Sequence, residues 1–301
     1  TTGRTAISPD APGIARGKQG MTMFSPLPIA AIQMISGPEV AANLIEADRL
    51  IAQAAQQGAR LIALPEYFPL IGATDAERLA AREEDEENRG GSPDAPIQHF
   101  LSEAARRHGI WLVGGSIPLC GDAPAKLRNA CLVHDPAGRR VARYDKIHLF
   151  GFRRGEESYD ERLHIEPGHQ IVTVETPGLG DIRRIGLAIC YDLRFPEMFR
   201  AMGEIDLLIV PAAFTETTGR AHWELLLRAR AVENQCYVLA AAQGGLHPGG
   251  RLTHGNSMLV DPWGDIVARL DKGPGIALGH FDAERLAEIR NSLPALRHRT
   301  R

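Results

Sequence analysis

Three residues of the kinds that serve as base, cation and nucleophile each close a short apolar run: Glu66 after L-I-A-L-P, Lys146 after V-A-R-Y-D, and Cys190 after R-I-G-L-A-I. If these runs are strands lying side by side, their ends meet at one rim, which is where open α/β sheets bind ligands. A free thiol, with a pKa of about 8.5, is a poor nucleophile until a base or a positive charge draws its proton away. A carboxylate and an ammonium can do this. Taken singly the three residues say little, because a cysteine at the end of a buried strand is commonly a small core hydrophobe and most glutamates and lysines are surface charges.

The elements that must carry them follow from periodicity. Residues 28–34 read as a strand and 39–57 as a helix, with Val40, Leu44, Ile51 and Ala55 at near-helical spacing. Then come a strand at 61–64, helices at 75–87 and 95–108, and a strand at 111–116. This alternation predicts an α/β domain. The acidic run at 82–87 reads as a solvated helix face, with a recognition surface as the alternative. Further strands are expected at 171–175, 184–189, 207–210 and 236–242, and helices at 196–203, 222–234 and 282–292. The charged stretch 151–168 reads as a surface loop.

Between these lies a repeat. Strands at 129–134 and 139–146 are joined by Asp135-Pro136-Ala137-Gly138, which has hairpin-turn chemistry. Strands at 256–260 and 266–272 are joined in the same way by Asp261-Pro262-Trp263-Gly264. R-N-A-C-L-V-H-D-P-A-G-R-R-V-A-R-Y-D-K aligns with H-G-N-S-M-L-V-D-P-W-G-D-I-V-A-R-L-D-K across one gap, and the shared V-A-R-x-D-K tail exceeds what the turn requires. We read a diverged internal duplication, hence two sheets packed face to face, the alternative being two ordinary hairpins that share a favourable turn.

Composition bounds the function. The 301 residues are 44% hydrophobic and 24% charged, ample for a core. With 34 Lys+Arg against 37 Asp+Glu the net charge is −3, which gives no field for nucleic acid or anionic lipid. No apolar run approaches the roughly 18 to 20 residues of a membrane span. The four cysteines, Cys120, Cys131, Cys190 and Cys236, never form CxxC and fit a reducing cytoplasm. Residues 1–26 read as a disordered leader or start-site extension, leaving 27–301 as one domain. There is no HExxH, GxxxxGK[ST] or GxGxxG, so neither a metal nor an organic cofactor is expected. His247 and His254, seven apart, match no common ligand spacing.

Three segments carry a resemblance. L-P-E-Y-F at 64–68, Y-D-K-I-H-L-F at 144–150 and G-L-A-I-C-Y-D-L-R-F-P-E at 186–197 resemble, in order, the signature segments of the nitrilase superfamily of carbon–nitrogen hydrolases. The likeness runs from Ile29 to the C-terminus. It implies a four-layer α-β-β-α sandwich with two mixed sheets and pseudo-duplicated halves, no cofactor or metal, and a homodimer or larger assembly packed through residues 195–203 and 223–235. It also implies a catalytic set of Glu66, Lys146 and Cys190, with a thioester intermediate and the backbone N–H of Tyr191 meeting the oxyanion. A second family glutamate maps to Glu161, with Glu156 and Glu157 as alternatives.

The segment 212–238, and A-A-A-Q-G-G-L-H-P-G-G-R at 240–251, resemble the branch acting on 2-oxo acid amides, nearer the deaminated-glutathione amidases than the ω-amidases. Such substrates carry carboxylates, which a guanidinium fork recognises. Arg194 is the foremost candidate, with a structural salt bridge as its alternative role. Thr217, Thr218 and His222 are expected in the same pocket, although either threonine could instead cap the following helix. Arg251 is a further candidate for a distal carboxylate. Where relatives often have G-H-S this chain has Gly255-Asn256-Ser257, which bears on substrate preference. The alternatives are an ω-amidase on 2-oxoglutaramate, an N-carbamoyl or aliphatic amidase, and an inactive binding scaffold.

Overall fold

The structure, a computed structural model, describes residues 25–72, 74–86, 95–155 and 157–300. Strand β1 (Leu27–Gln33) alternates its side chains between two interiors. Ile29 and Ala31 join the core between the sheets, while Ala30 and Ile32 pack with Leu50 and Ile51 of helix α1 (Val40–Gln56). Burial on both faces explains why the run is continuously apolar.

Strand β2 (Leu61–Ala63), helices α2 (Asp75–Ala80) and α3 (Pro96–His108) and strand β3 (Trp111–Val113) follow, with β2 parallel to both β1 and β3. β4 (Ile117–Cys120) resumes after Gly114 and Gly115, and β3 and β4 pair with successive stretches of one edge of β5 (Leu127–His134). β6 (Arg140–Asp145) takes the other edge. β7 (Gly151–Arg154) and β8 (Glu157–Asp160) form a separate hairpin, followed by a 3-10 turn at Glu161–Leu163.

The second sheet runs from β9 (Thr173–Glu175), β10 (Arg184–Leu187) and β11 (Leu207–Ala212) to β12 (Tyr237–Ala242), β13 (Met258–Val260) and β14 (Ile266–Arg269). Helices α4 (Pro196–Ala201) and α5 (Glu216–Asn234) cover it through Phe199, Trp223 and Leu227. β15 (Gly275–Phe281) crosses back to pair antiparallel with β1, and α6 (Ala283–Ser292) follows. The layers are α-β-β-α with two mixed sheets, as expected. Among the described residues no helix is long and apolar enough to cross a membrane.

Two readings are corrected. The helix expected over 75–87 stops at Ala80, so the acidic run is not a helix face, and although Glu84 and Asp85 are exposed, Glu83 is not. Glu83 is buried and accepts the N–H groups of Ile97 (2.6 Å) and Gln98 (3.1 Å), so it caps α3, whose own N-cap Ala95 has no side-chain acceptor. Asp85 pairs with Arg140 and Arg143, and Glu87 lies outside the described residues. The stretch 151–168 begins as the β7–β8 hairpin rather than a loop, because Phe152 and Tyr159 face each other across it. Residues 1–24 of the expected leader lie outside the described residues.

Candidate active site

The chain leaves β10 and turns sharply at Cys190, whose φ of +50° is in the left-handed region that non-glycine residues seldom occupy. A 3-10 turn, Cys190–Arg194, begins there, with the backbone N–H of Tyr191 in its first residues. Asp192, fully buried, holds the bend: its carboxylate accepts from the N–H of Ile189 (2.9 Å), the hydroxyl of Tyr144 (2.6 Å) and the N–H of His148 (2.9 Å). The His148 ring Nδ1 also lies 2.8 Å from it. Tyr144 and His148 flank Lys146, so one carboxylate ties the cysteine's turn to the end of the lysine's strand.

Glu66 follows β2 at a second unusual turn. Tyr67 has a φ of +55° and donates its N–H to Ser116 Oγ at 3.0 Å. Gly115 lets β3 approach this turn, since a Cβ there would stand 2.2 Å from the Pro65 carbonyl oxygen. Glu66 Oε1 accepts from Lys146 Nζ (2.8 Å) and Asn129 Nδ2 (3.0 Å), and Oε2 accepts from the Ala213 N–H (2.9 Å). Lys146 Nζ also donates to both oxygens of Glu161, at 3.0 and 2.9 Å. Glu161 in turn accepts from the Tyr67 hydroxyl and the Phe150 N–H, each at 2.7 Å. The expected Glu66, Lys146 and Glu161 therefore converge. Glu157 instead receives the Thr217 hydroxyl, and Glu156 lies outside the described residues.

Burial pulls the Lys146 ammonium down, but Glu161 and Glu66 outweigh it and hold it well above its ordinary range. Burial pushes the Glu161 carboxyl up, yet Lys146 and the hydrogen bond from Phe150 bring it below its ordinary value. The Cys190 thiol is pushed well up by burial and by the Glu66 carboxylate, against the pull of Lys146. Buried Cys131 and Cys236 are also raised by desolvation, the latter to about 12, but neither has a carboxylate–ammonium pair beside it. Cys190 at rest is thus a neutral thiol facing a carboxylate that can take its proton as the sulfur attacks an electrophile.

A narrow pocket of about 10 Å³ opens on Cys190, lined also by Glu66, Tyr191, Arg194, Thr218 and Arg251. Arg194 is half-buried. Its guanidinium stands 5.8 Å from the Tyr191 ring and 5.6 Å from the Phe214 ring, and its hydrogen-bond partner is His222 Nδ1 at 3.3 Å. Among the described residues it has no carboxylate partner, so the salt-bridge role considered for it is not realised. Thr217 and His222 do not line this pocket. α5 begins at Glu216, six residues before the expected start, and Thr215 caps it by accepting the Thr218 N–H, which places Thr217 and Thr218 in its first turn.

Asn129, Ser116 and Asp192 were not singled out as functional from the sequence. Asn129 had a signal in its place in the repeat, and Asp192 in the C-Y-D spacing; Ser116 had none. His247 bonds the Ser36 carbonyl and Thr253, whereas His254 meets Glu216 and Asn256. Among the described residues no group of three or more potential ligands could hold a metal.

The family model described as carbon-nitrogen hydrolase matches residues 28–291. The deaminated glutathione amidase of a Synechocystis strain is 38% identical over 282 residues, covering 92% of this chain and 99% of that protein. Omega-amidase NIT2-A of Xenopus laevis is 37% identical, covering 91% and 95%. Among solved structures, Nit3 of Saccharomyces cerevisiae, described as a member of branch 10 of the nitrilase superfamily, has a TM-score of 0.80 at 30% identity, covering 91% of this chain and 97% of that one.

Proposed function

The chain belongs to the carbon–nitrogen hydrolase family and is an amidase of the nitrilase superfamily, and from that premise we propose that it hydrolyses a carboxylate-bearing 2-oxo acid amide, deaminated glutathione, to 2-oxoglutarate and cysteinylglycine. The observation that carries this reading is Arg194: a half-buried guanidinium with no ion-pair partner among the described residues, in the pocket that opens on Cys190. An unpaired guanidinium in a partly dry pocket favours a carboxylate.

Glu66 accepts the Cys190 proton as the sulfur attacks the amide carbonyl carbon. The tetrahedral oxyanion forms between Lys146 and the Tyr191 N–H, donors of a kind worth about 3 kcal/mol each. Glu161 positions Lys146 by holding its ammonium at two points. The intermediate collapses, the C–N bond breaks, and the leaving amine takes the proton from Glu66. A thioester remains. Glu66 then draws a proton from water, hydroxide adds to the thioester carbonyl, and the C–S bond breaks to release the acid and restore the thiol.

Purified protein should release 2-oxoglutarate from deaminated glutathione, and Arg194→Ala should raise KM by about tenfold or more, the size of one lost charge-assisted contact. Turnover of simple aliphatic or N-carbamoyl amides with none of 2-oxoglutaryl amides would overturn the reading. A preference for 2-oxoglutaramate would move the protein to the ω-amidase side of the branch.

A further inference from the structure

Lys146 has no N–H to spare. An ammonium carries three donors, and Lys146 Nζ already has three acceptors: Glu66 Oε1 at 2.8 Å and the two oxygens of Glu161 at 3.0 and 2.9 Å. An oxyanion can claim one of these donors only when a present partner lets go. Glu66 is that partner, because taking the Cys190 proton neutralises its carboxylate. Glu161 keeps its charge, together with its bonds from the Tyr67 hydroxyl and the Phe150 N–H. Once Lys146 turns away, another group must hold Glu66 in place for the proton transfers that follow.

Asn129 is placed to do so. It is buried in β5, its Nδ2 donates to the same Glu66 oxygen at 3.0 Å, and its backbone carbonyl accepts the Lys146 N–H at 3.0 Å. Turning the amide over would set Oδ1 against the carboxylate, so its orientation is fixed. Oδ1 itself is buried and has no hydrogen-bond partner among the described residues. An apolar side chain of the same shape would avoid the cost of that unpaired acceptor, so packing does not account for an asparagine here. Nor does substrate contact, since Asn129 does not line the pocket on Cys190. Its counterpart in the second repeat, Asn256, has both ends of its amide engaged, Oδ1 by Arg269 and Nδ2 by the His254 carbonyl.

The two oxygens of Glu66 are therefore unequal. Oε1 accepts from Lys146 and Asn129, and Oε2 from the Ala213 N–H alone. The same N–H favours the Cys190 thiolate, which puts Oε2 on the sulfur's side. We propose that Asn129 is a positioning residue for Glu66, anchoring Oε1 while Lys146 passes one N–H to the oxyanion and so confining the travelling proton to Oε2. In that step the Cys190 proton passes to Oε2, the sulfur electron pair bonds the carbonyl carbon, and the C=O pair moves onto the oxygen that the freed N–H meets. This rests on the reading that Glu66 takes the Cys190 proton.

The test uses two reactions of the thiol in the wild type, Glu66→Gln, Asn129→Leu and Asn129→Asp. One is turnover of deaminated glutathione and 2-oxoglutaramate; the other is alkylation of Cys190 by iodoacetamide across pH, read on its peptide by mass spectrometry. Alkylation needs the thiol and its base but forms no oxyanion, and it slows at low pH as the base is protonated. Asn129→Leu should lower kcat by about tenfold or more, the size of one charge-assisted contact, with KM near the wild-type value. Its alkylation at neutral pH should stay near the wild-type rate, because Lys146 keeps its hold, while the acid limb moves up by about one pH unit as the carboxylate loses a donor. Asn129→Asp, closer in shape but facing Glu66 with a second negative charge, should move that limb further. A merely structural side chain predicts the reverse order, since Asp is the better fit, and equal losses in the two reactions. Acid limbs unmoved in both variants, or that reverse order, would overturn the proposal. Alkylation of Glu66→Gln at the wild-type rate would overturn it together with the base reading beneath it. No wild-type turnover of either amide would overturn the acyl assignment alone, and the acid limbs then decide the role of Asn129.

Discussion

The hairpins β5–β6 and β13–β14 share a turn and a tail, and differ in what their last lysines meet. In the first, Asp135 Oδ1 accepts the N–H groups of Ala137 and Arg139 at 2.9 and 3.0 Å; in the second, Asp261 Oδ1 accepts those of Trp263 and Asp265 at 2.9 and 2.8 Å. Each has a register shift in its first strand. Yet Lys146 is wholly buried between Glu66 and Glu161, while the Lys272 side chain is 47% exposed and pairs with Glu216. Asn129 donates to Glu66, whereas its counterpart Asn256 accepts from Arg269 Nε at 3.0 Å.

The rest of the duplication follows the same rule. Ile29 pairs with Leu61 in one sheet as Ile185 pairs with Leu207 in the other. Five residues on from each stand Met34 and Glu66 in the first half, and Cys190 and Ala212 in the second. One combination therefore unites a thiol, a carboxylate and a lysine drawn from both halves, while the mirror set of Met34, Ala212 and Lys272 has neither nucleophile nor base. A V-A-R-x-D-K tail does not make a site; two carboxylates and the exclusion of water do.

The largest expected difference between the halves lies in the lysines. Lys146→Met strands two buried carboxylates, so it should abolish turnover and cost about 3 to 5 kcal/mol in urea unfolding. Next is the acid response of the second half. Burial raises the Glu216 carboxyl, but hydrogen bonds from Lys272, Arg220 and His254 bring it from 4.5 to about 2. A carboxyl lowered on folding contributes stability above its unfolded value, and that contribution fades as pH falls from 4.5 through about 2. Glu216→Gln should therefore lose less stability than the wild type over that window, with catalysis at neutral pH retained. The smallest effect belongs to Lys272→Met, within about 1 kcal/mol for a solvent-exposed pair. Equal losses from Lys272→Met and Lys146→Met would break the comparison.

Much of this is legible in the sequence. Cys190, Glu66 and Lys146 each end an apolar run, and the D-P-x-G turns announce both hairpins. β15 was not legible, because G-I-A-L-G-H-F has weak strand character and gains its place only by pairing with β1. Nor was β4, which follows β3 after a glycine pair and needs the edge of β5. The role of Glu83 escaped for a related reason: its neighbours along the chain are charged, and its partners Ile97 and Gln98 come to it only through packing. The β7–β8 hairpin reads as a loop because its charges hide the pairing of Phe152 with Tyr159. Local pattern identifies what ends a strand; the partners across sheets are set by tertiary structure.

The most direct test of the central claim, that chemistry passes through Cys190 in this composite site, is to quench wild-type protein during turnover of a 2-oxoglutaryl amide and map its peptides by mass spectrometry. The account predicts one 2-oxoglutaryl group on the Cys190 peptide, lost on treatment with hydroxylamine, and neither adduct nor turnover in Cys190→Ala. Sustained turnover in Cys190→Ala, or an acyl group on another cysteine such as Cys120, would contradict it.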